Sequence, residues 1–132
     1  MSEENIQVLR ELNDAANRLD LDASLACLSP NVIWEENPEL PGLREVYRGR
    51  AEVREWMEEA LEVAEGAHFE LVEIKELSGE GVFAETVFTG RGKGSGLPGE
   101  LHFWSVLWFA EGKIAKRQVF WTREQALEAA GL

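Results

Sequence analysis

Apolar residues are densest between residues 100 and 122, where two apolar stretches flank a short polar segment. That segment, Ala110-Glu111-Gly112-Lys113, contains a glycine that can supply the positive φ of a tight turn, so the pattern predicts two long strands joined as a hairpin. In the first strand, apolar residues fill almost every position from 103 to 109. Side chains alternate across a strand, so both faces of this strand must be covered. We expect the chain's own helices to cover one face and a second copy of the molecule to cover the other.

Two longer segments carry an apolar residue every three or four positions, which predicts amphipathic helices. The first covers residues 2 to about 19. The second covers residues 51 to about 65, with Gly66 as its end.

Capping residues predict two further helices. Asp20 or Asp22 can cap a short helix that ends before Pro30. The segment from Thr122 to Gln125 matches a capping box, so a last helix is expected after it.

Short apolar segments bounded by turn residues predict the remaining strands, at residues 31–36, 69–77 and 82–89. Residues 37–49 hold two prolines and two glycines and are predicted as a loop long enough to form a lid or rim. Residues 90–99 are predicted as a glycine-rich connection between strands. Helices around one short strand, followed by a run of four antiparallel strands, indicate an α+β fold.

Composition and charge narrow the possible partners. The 132 residues are most simply one domain, residues 1–132, and 45% of them are hydrophobic, which is enough for one core. The 25 acidic and 13 basic side chains give a net charge of −12, which opposes nucleic acid and anionic membranes as partners. No apolar run is long enough to span a bilayer, and the polar start MSEENIQ does not resemble a signal peptide. The single cysteine, Cys27, excludes an internal disulfide and fits a cytoplasmic location.

Three segments resemble the SnoaL-like branch of the nuclear transport factor 2-like superfamily, which includes ketosteroid isomerases and polyketide cyclases. They are LDLDASLACLSPNVIWEENP, YRGRAEVREW and FAEGKIAKRQVFWTREQALEAAGL. The resemblance implies a cone-shaped, curved antiparallel sheet wrapped around N-terminal helices, as in nuclear transport factor 2-like and cystatin-like proteins. It also implies a pocket inside the cone and a dimer partner outside it.

The same fold hosts enzymes, binding proteins and dimerisation modules, so the implied function has two alternatives. One is small-molecule binding, with isomerase, cyclase or epoxide-hydrolase-like chemistry that needs no cofactor. The other is a non-catalytic dimer whose cone is filled by its own side chains.

The resemblance also implies individual site residues. The catalytic carboxylate of the isomerase branch falls on Glu36, a candidate general base, with a surface acid at the strand end as the alternative. Two tyrosines of that branch fall on Leu12 and Met57, and its aspartate falls on Ser105. A serine hydroxyl donates a weaker hydrogen bond than a neutral carboxylic acid, so these departures argue against steroid isomerisation by the family's own mechanism.

By the same register, one face of the later strands points into the cone. Its members are Glu85, Val87, Phe103, Ser105, Leu107, Arg117, Val119 and Trp121. A buried carboxylate needs a partner, and Arg117 is the candidate partner of Glu85. With Glu36 they would form an acid–arginine–acid cluster that resembles the arrangement in epoxide hydrolases of this superfamily. The alternative is a buried ion pair without chemistry, or an Arg117 side chain that extends to the rim.

The expected ligand is a small, mostly apolar molecule with a polar head, bound without a cofactor or metal. The predicted binding residues are Trp34, Tyr47, Trp56, Met57, Phe103, Leu107, Val119 and Trp121. Trp34 would form the wall beside Glu36, and Tyr47 would reach the ligand from the rim. In the rival arrangement the cone is filled by Leu12, Trp56, Met57 and Trp121.

The opposite face of the strands is predicted to form a homodimer interface. It carries Thr86, Phe88, His102, Trp104, Val106, Trp108, Ile114, Gln118 and Phe120. Left exposed, this would be an apolar patch larger than a monomer tolerates. His102 lies on this face and is expected in the interface. It is not expected to bind a metal, because the sequence places no second metal ligand at a suitable spacing from it.

Overall fold

The computed structural model describes residues 2–36, 46–92 and 98–132, which form helices and strands in the predicted α+β order. The elements are α1 (Ser2–Asn17), α2 (Leu21–Ala26), β1 (Leu28–Glu35), β2 (Val46–Arg48), α3 (Gly49–Val63), β3 (Ala64–Glu76), β4 (Gly81–Gly92), β5 (Pro98–Ala110), β6 (Lys113–Phe120) and α4 (Arg123–Ala129). The strands form one curved, unclosed sheet in the order β2-β1-β6-β5-β4-β3. Helices α1 and α3 pack against its inner face.

The predicted hairpin between β5 and β6 is confirmed. Ala110 pairs with Lys113, and the two residues between them, Glu111 and Gly112, have φ angles of 52° and 76°. Two successive positive φ angles are typical of a type I′ turn, whose twist matches that of the flanking strands. This turn sets the pairing of the residues next to it, and the register shifts by one residue beyond Phe109.

β1 lies between β2 and β6, and its pairing with β6 is parallel, with Trp34 opposite Arg117. The other strand pairs are antiparallel. β1 starts at Leu28 rather than at residue 31, and its pairing shifts between Leu28 and Ile33, around Pro30. Proline has no N–H to donate to a ladder, which explains the irregular pairing at this point.

β2 lies inside the segment 37–49 that the sequence predicts as a loop. A three-residue strand is too short to show an alternating pattern, so the sequence could not reveal it. The rest of that segment, residues 37–45, lies outside the described residues, as do residues 93–97 of the glycine-rich connection.

Two predicted helix caps are confirmed. The Asp20 carboxylate accepts a hydrogen bond from the N–H of Ala23 at 3.0 Å, at the start of α2. The Thr122 hydroxyl accepts one from the N–H of Gln125 at 3.3 Å, at the start of α4.

Gly66 has a different place from the predicted one. It lies within β3, which begins at Ala64, and has a φ of 62°. The pairing of β3 with β4 shifts between Glu65 and His68, so Gly66 belongs to an irregularity of the strand rather than to the end of a helix.

The outer face of the sheet is partly covered by the chain itself. Phe83 and Val106 are buried there together with Ala126 of α4. Half-buried residues pack around this outer cluster, namely Trp104, Trp108, Phe120, Leu127 and Ala130. The last helix therefore covers part of the surface that the sequence assigned to a second copy.

The facing predicted for β4 is wrong. Thr86 lies opposite Phe103, and Glu85 lies opposite Trp104. Residues directly opposite each other in an antiparallel pair share a face, so even-numbered β4 residues share the inner face with odd-numbered β5 residues. Thr86 and Phe88 consequently point inward, whereas Glu85 and Val87 point outward.

Ile114 also lies on the inner face rather than on the predicted outer face. The β5–β6 pairing shifts between Trp108 and Phe109, which brings Ile114 opposite Phe109 in the inner core. A one-residue irregularity reverses the facing of the residues beyond it.

Candidate functional site

A cavity of about 260 Å³ lies between helices α1, α2 and α3 and the inner face of the sheet. Its wall is mostly aliphatic and aromatic. The polar residues that line it are Asn13, Asp20, Ser24, Thr86, Ser105 and Arg117. Leu19, Asp20 and Ala60 are exposed to solvent and also line the cavity, so its opening lies between the α1–α2 turn and α3.

Most of the predicted binding residues contribute to this wall. Those that line the cavity are Trp34, Trp56, Met57, Phe103 and Leu107. Leu12 also lines it, so Leu12, Trp56 and Met57 surround the space rather than fill it.

The other predicted binding residues, Tyr47, Val119 and Trp121, do not line the cavity. Tyr47 is buried in the inner core with its ring centroid 6.5 Å from that of Trp56, so its predicted place at the rim is wrong. Val119 is buried, and Trp121 packs edge-on against Phe103 at 6.3 Å.

An ion pair between β6 and the end of β1 brings a charged residue, Arg117, to the wall. Arg117 Nη1 donates to Glu36 Oε1 at 2.7 Å, and both residues are buried. The Trp34 indole N–H donates to the same oxygen at 3.1 Å. Arg117 and Glu36 come into contact because the parallel pairing of β1 with β6 sets Trp34 opposite Arg117. Glu36 then follows one residue beyond the end of β1.

Aromatic rings surround the Arg117 guanidinium. Its central carbon lies 4.2 Å from the Trp34 ring centroid, 5.6 Å from that of Trp56 and 5.9 Å from that of Phe103. These distances allow cation–π attraction, which is stronger at a desolvated site. The rings and the Glu36 carboxylate together hold the guanidinium in place at the cavity wall.

Arg117 retains donors for a bound molecule. A guanidinium has five N–H groups, and in the described part of the chain Glu36 is the acceptor of the hydrogen bond that Arg117 makes. Arg117 lines the cavity, so its other N–H groups can donate to a ligand oxygen. Glu36 lies behind Arg117 and is not one of the described residues that line the cavity.

Glu85 does not join this pair, so the predicted acid–arginine–acid cluster is wrong. Its carboxylate lies on the outer face, 3.9 Å from His102 Nδ1. His102 is exposed and also lies 2.8 Å from the Glu100 carboxylate through Nε2. The cause is the β4 register, which turns Glu85 outward and brings Thr86 into the cavity in its place.

Ser105 lines the cavity as predicted, together with four polar residues that were not predicted there, Thr86, Asn13, Asp20 and Ser24. Thr86 was assigned to the other face. Asn13 lies on α1 and donates from Nδ2 to the Phe69 carbonyl at 3.1 Å, which ties α1 to β3. The sequence signal for Asn13 is weak, namely a polar residue beside the apolar stripe of α1. Apolar spacing predicts the buried side of a helix but does not show which polar neighbour faces a cavity.

Within the described residues, no group of three or more His, Cys, Asp or Glu side chains is arranged to hold a metal ion. No helix among the described residues is long and apolar enough to cross a membrane.

Comparisons with known proteins identify the family. The family model of the SnoaL-like domain matches residues 9–117. A nuclear transport factor 2-like protein of unknown function from Burkholderia pseudomallei K96243 is 24% identical, with a TM-score of 0.82 and 100% of both chains covered. Comparison with curated proteins gives no match.

Two further solved structures share the fold. A protein from Bacillus subtilis, described as a proposed isomerase, is 18% identical, with a TM-score of 0.81 over 98% of this chain and 93% of that one. AclR from Streptomyces galilaeus, described as a proposed hydroxylase, is 20% identical, with a TM-score of 0.77 over 99% and 98%. At these identities the likeness shows the fold alone, whereas the domain match covers most of the chain. The chain therefore belongs to the SnoaL-like family and has the nuclear transport factor 2-like fold.

Proposed function

We propose that this protein binds a small, mostly apolar molecule through a carbonyl group whose oxygen accepts hydrogen bonds from Arg117. The observation that carries the proposal is an arginine, Arg117, that is 8% exposed and yet lines an apolar cavity. Glu36 balances its charge, so the pair suits a neutral carbonyl better than a free anion. A volume of about 260 Å³ lies just below the range of about 300–1,000 Å³ for drug-sized ligands, which favours a molecule of about two fused rings.

A second candidate function is proton transfer at that ligand. The hydrogen bonds to Glu36 from Arg117 and Trp34 both use Oε1, and this favours Oε2 as the atom that takes a proton. Because Glu36 does not itself line the cavity, the proposed step requires the Arg117 side chain to shift with the ligand so that Oε2 reaches the carbon beside the carbonyl. Oε2 then removes a proton from that carbon. The C–H electron pair forms a new C=C bond, and the carbonyl π pair moves to oxygen as an enolate that Arg117 stabilises. Return of the proton from Glu36 to the same carbon completes an exchange. In a ketone with a C=C bond next to that carbon, the proton can return to the far end of the conjugated system and give an isomer, with no change in oxidation state.

The test uses 2-tetralone, a two-ring ketone with acidic hydrogens beside its carbonyl. Calorimetry measures binding, and proton NMR in D₂O measures exchange of those hydrogens. Arg117→Met is expected to weaken binding, whereas Lys116→Met, on the same strand but facing outward, is the matched control. Wild-type protein that does not bind 2-tetralone would contradict the binding proposal.

The neighbouring carboxylates give a matched pair for the proton-transfer step. Glu36→Gln is expected to slow exchange by about 100-fold or more, in the range typical of a general base. Glu35→Gln keeps the wild-type rate, because Glu35 pairs with Gln118 and Lys116 instead. Binding without faster exchange in the wild type would leave a binding protein and exclude the catalytic step for this class of ketone.

We also propose a homodimer through the part of the outer sheet face that α4 leaves open, around His102, Trp104, Trp108 and Phe120. His102 is exposed, and the three aromatic residues are only half-buried, which supports a second copy as the cover. Sedimentation velocity should give a dimer for the wild type and a shift toward monomer for His102→Asp. A monomeric wild type at all concentrations would contradict this.

A cytoplasmic location is a separate part of the proposal. It is supported by the single cysteine, Cys27, which is free and buried.

A further inference from the structure

Two hydroxyl groups on the inner face of the sheet are buried without a protein partner. Thr86 on β4 and Ser105 on β5 are 5% and 3% exposed, and both line the cavity. Neither hydroxyl hydrogen-bonds to any of the residues that the structure describes. Among those residues, the fully enclosed side-chain polar atoms without a partner are the indole nitrogens of Trp104 and Trp121. The hydroxyl oxygens of Thr86 and Ser105 are therefore open to the cavity and can form hydrogen bonds with a molecule that fills it.

Other polar side chains of the cavity already have partners. The Ser24 hydroxyl donates to the Asp20 carbonyl at 2.9 Å, which is a contact within α2 and its cap. Asn13 donates to the Phe69 carbonyl. These contacts support the fold, whereas the hydroxyls of Thr86 and Ser105 are left for whatever occupies the cavity.

The strand register places Arg117, Ser105 and Thr86 along one diagonal. Arg117 lies opposite Leu107 and Thr86 lies opposite Phe103, with Ser105 midway between these two β5 residues. Diagonal neighbours on one face of a sheet are about 7–8 Å apart between Cα atoms. The central carbon of the Arg117 guanidinium lies 5.9 Å from the ring centroid of Phe103, the residue opposite Thr86. The gap between this guanidinium and the Thr86 hydroxyl then suits a molecule of two fused rings.

We propose that Thr86 and Ser105 form a second polar subsite, which recognises an oxygen function on the ring remote from the carbonyl that Arg117 binds. The inference rests on the proposed function and narrows its ligand to an oxygenated two-ring ketone. A neutral hydroxyl group fits best, because it can donate to one protein hydroxyl and accept from the other. A purely apolar ring would displace water and leave both protein hydroxyls unpaired, which a site of this kind discriminates against.

The test compares 2-tetralone with 6-hydroxy-2-tetralone and 7-hydroxy-2-tetralone by calorimetry. In the wild type, at least one hydroxylated ketone is expected to bind about three- to tenfold more tightly than 2-tetralone, the gain typical of one net hydrogen bond. Thr86→Val removes the hydroxyl and should bring this ratio to about one. Thr86→Ser keeps the hydroxyl and should restore the preference.

Thr89→Val is the matched control, since Thr89 lies on the same strand but not among the residues lining the cavity. The ratio of its affinities for the hydroxylated ketone and for 2-tetralone should equal that of the wild type. If Thr86→Val does not fold by circular dichroism, Ser105→Ala gives the same test, because both hydroxyls flank the same ligand oxygen.

The outcomes separate this inference from the function on which it rests. If 2-tetralone binds but neither hydroxylated ketone binds more tightly, or if Thr86→Val or its substitute Ser105→Ala keeps the preference, the second subsite is refuted and the binding proposal stands. If none of the three ketones binds, the proposed function fails and the subsite fails with it.

Discussion

Removing the charge of Arg117 should destabilise the protein far more than removing the charge of its neighbour Lys116. Arg117 and Glu36 are 2.7 Å apart with side chains 9% and 5% exposed, whereas Lys116 and Glu35 are 3.7 Å apart with side chains 39% and 32% exposed. Breaking a buried pair leaves an uncompensated buried charge and costs about 3–5 kcal/mol. Breaking an exposed pair costs about 1 kcal/mol or less.

The perturbation is Arg117→Met, which keeps the apolar stem between Trp34 and Trp56 and removes the guanidinium. Part of its cost is the lost cation–π contact with Trp34, about 0.5–2 kcal/mol. The rest is the Glu36 carboxylate left without its partner. Adding Glu36→Gln removes that charge, so the double variant should be more stable than the sum of the two single effects predicts. We expect a coupling energy of about 1–3 kcal/mol.

Urea unfolding followed by tryptophan fluorescence and circular dichroism measures these free energies, with a constant slope showing that the denatured state is unchanged. Lys116→Met and Glu35→Gln, with their double variant, form the control cycle on the opposite face of the same strands. The reasoning is refuted if the free energy of unfolding of Arg117→Met lies within about 1 kcal/mol of the wild-type value. It is also refuted if the two cycles give equal coupling energies.

Three further predictions concern the rest of the fold. Gly81→Ala should destabilise the protein by about 1–3 kcal/mol in urea, because the added Cβ would lie 2.5 Å from the Trp108 ring, and unchanged stability would contradict this register. Burial raises the pKa of the Cys27 thiol, so a disulfide reagent at pH 8 should modify native protein much more slowly than unfolded protein; equal rates would show that the thiol is accessible. The hydrogen bond from Asn5 lowers the pKa of Glu80. Asn5→Ala should therefore reduce the free energy of unfolding at pH values above the ordinary carboxyl pKa, and this loss should disappear as the pH falls through the lowered pKa of Glu80. A loss that does not depend on pH would refute the linkage.

The sequence predicts the hairpin between β5 and β6 but not the irregularity within it. Gly112 indicates the turn, and the residues next to it pair as a type I′ turn requires. Continued from this turn without a break, the register would set Arg117 opposite Val106 on the outer face. The shift between Trp108 and Phe109 sets Arg117 opposite Leu107 on the inner face instead. The inward facing predicted for Arg117 is therefore confirmed, but the turn alone does not account for it.

The facing of β4 could not be predicted from the sequence either. The connection between β4 and β5 is glycine-rich, and its composition does not state how many residues lie in the ladder on each side. An error of one residue exchanged Glu85 for Thr86, so a charged cluster was predicted where the structure has a hydroxyl. The parallel pairing of β1 with β6 was equally hidden, because it joins Trp34 to Arg117 across most of the chain.

The buried pair and the open cavity are most economically explained together. Replacing a buried ion pair by well-packed apolar residues is often neutral or stabilising, and filling a cavity removes a further cost. A chain organised for stability alone gains from both changes, yet Arg117 lies at the wall of a space that Leu12, Trp56 and Met57 leave open. A ligand that accepts hydrogen bonds from Arg117 and fills the space satisfies both features at once. It should therefore raise the free energy of unfolding of the wild type, and of Lys116→Met, more than that of Arg117→Met.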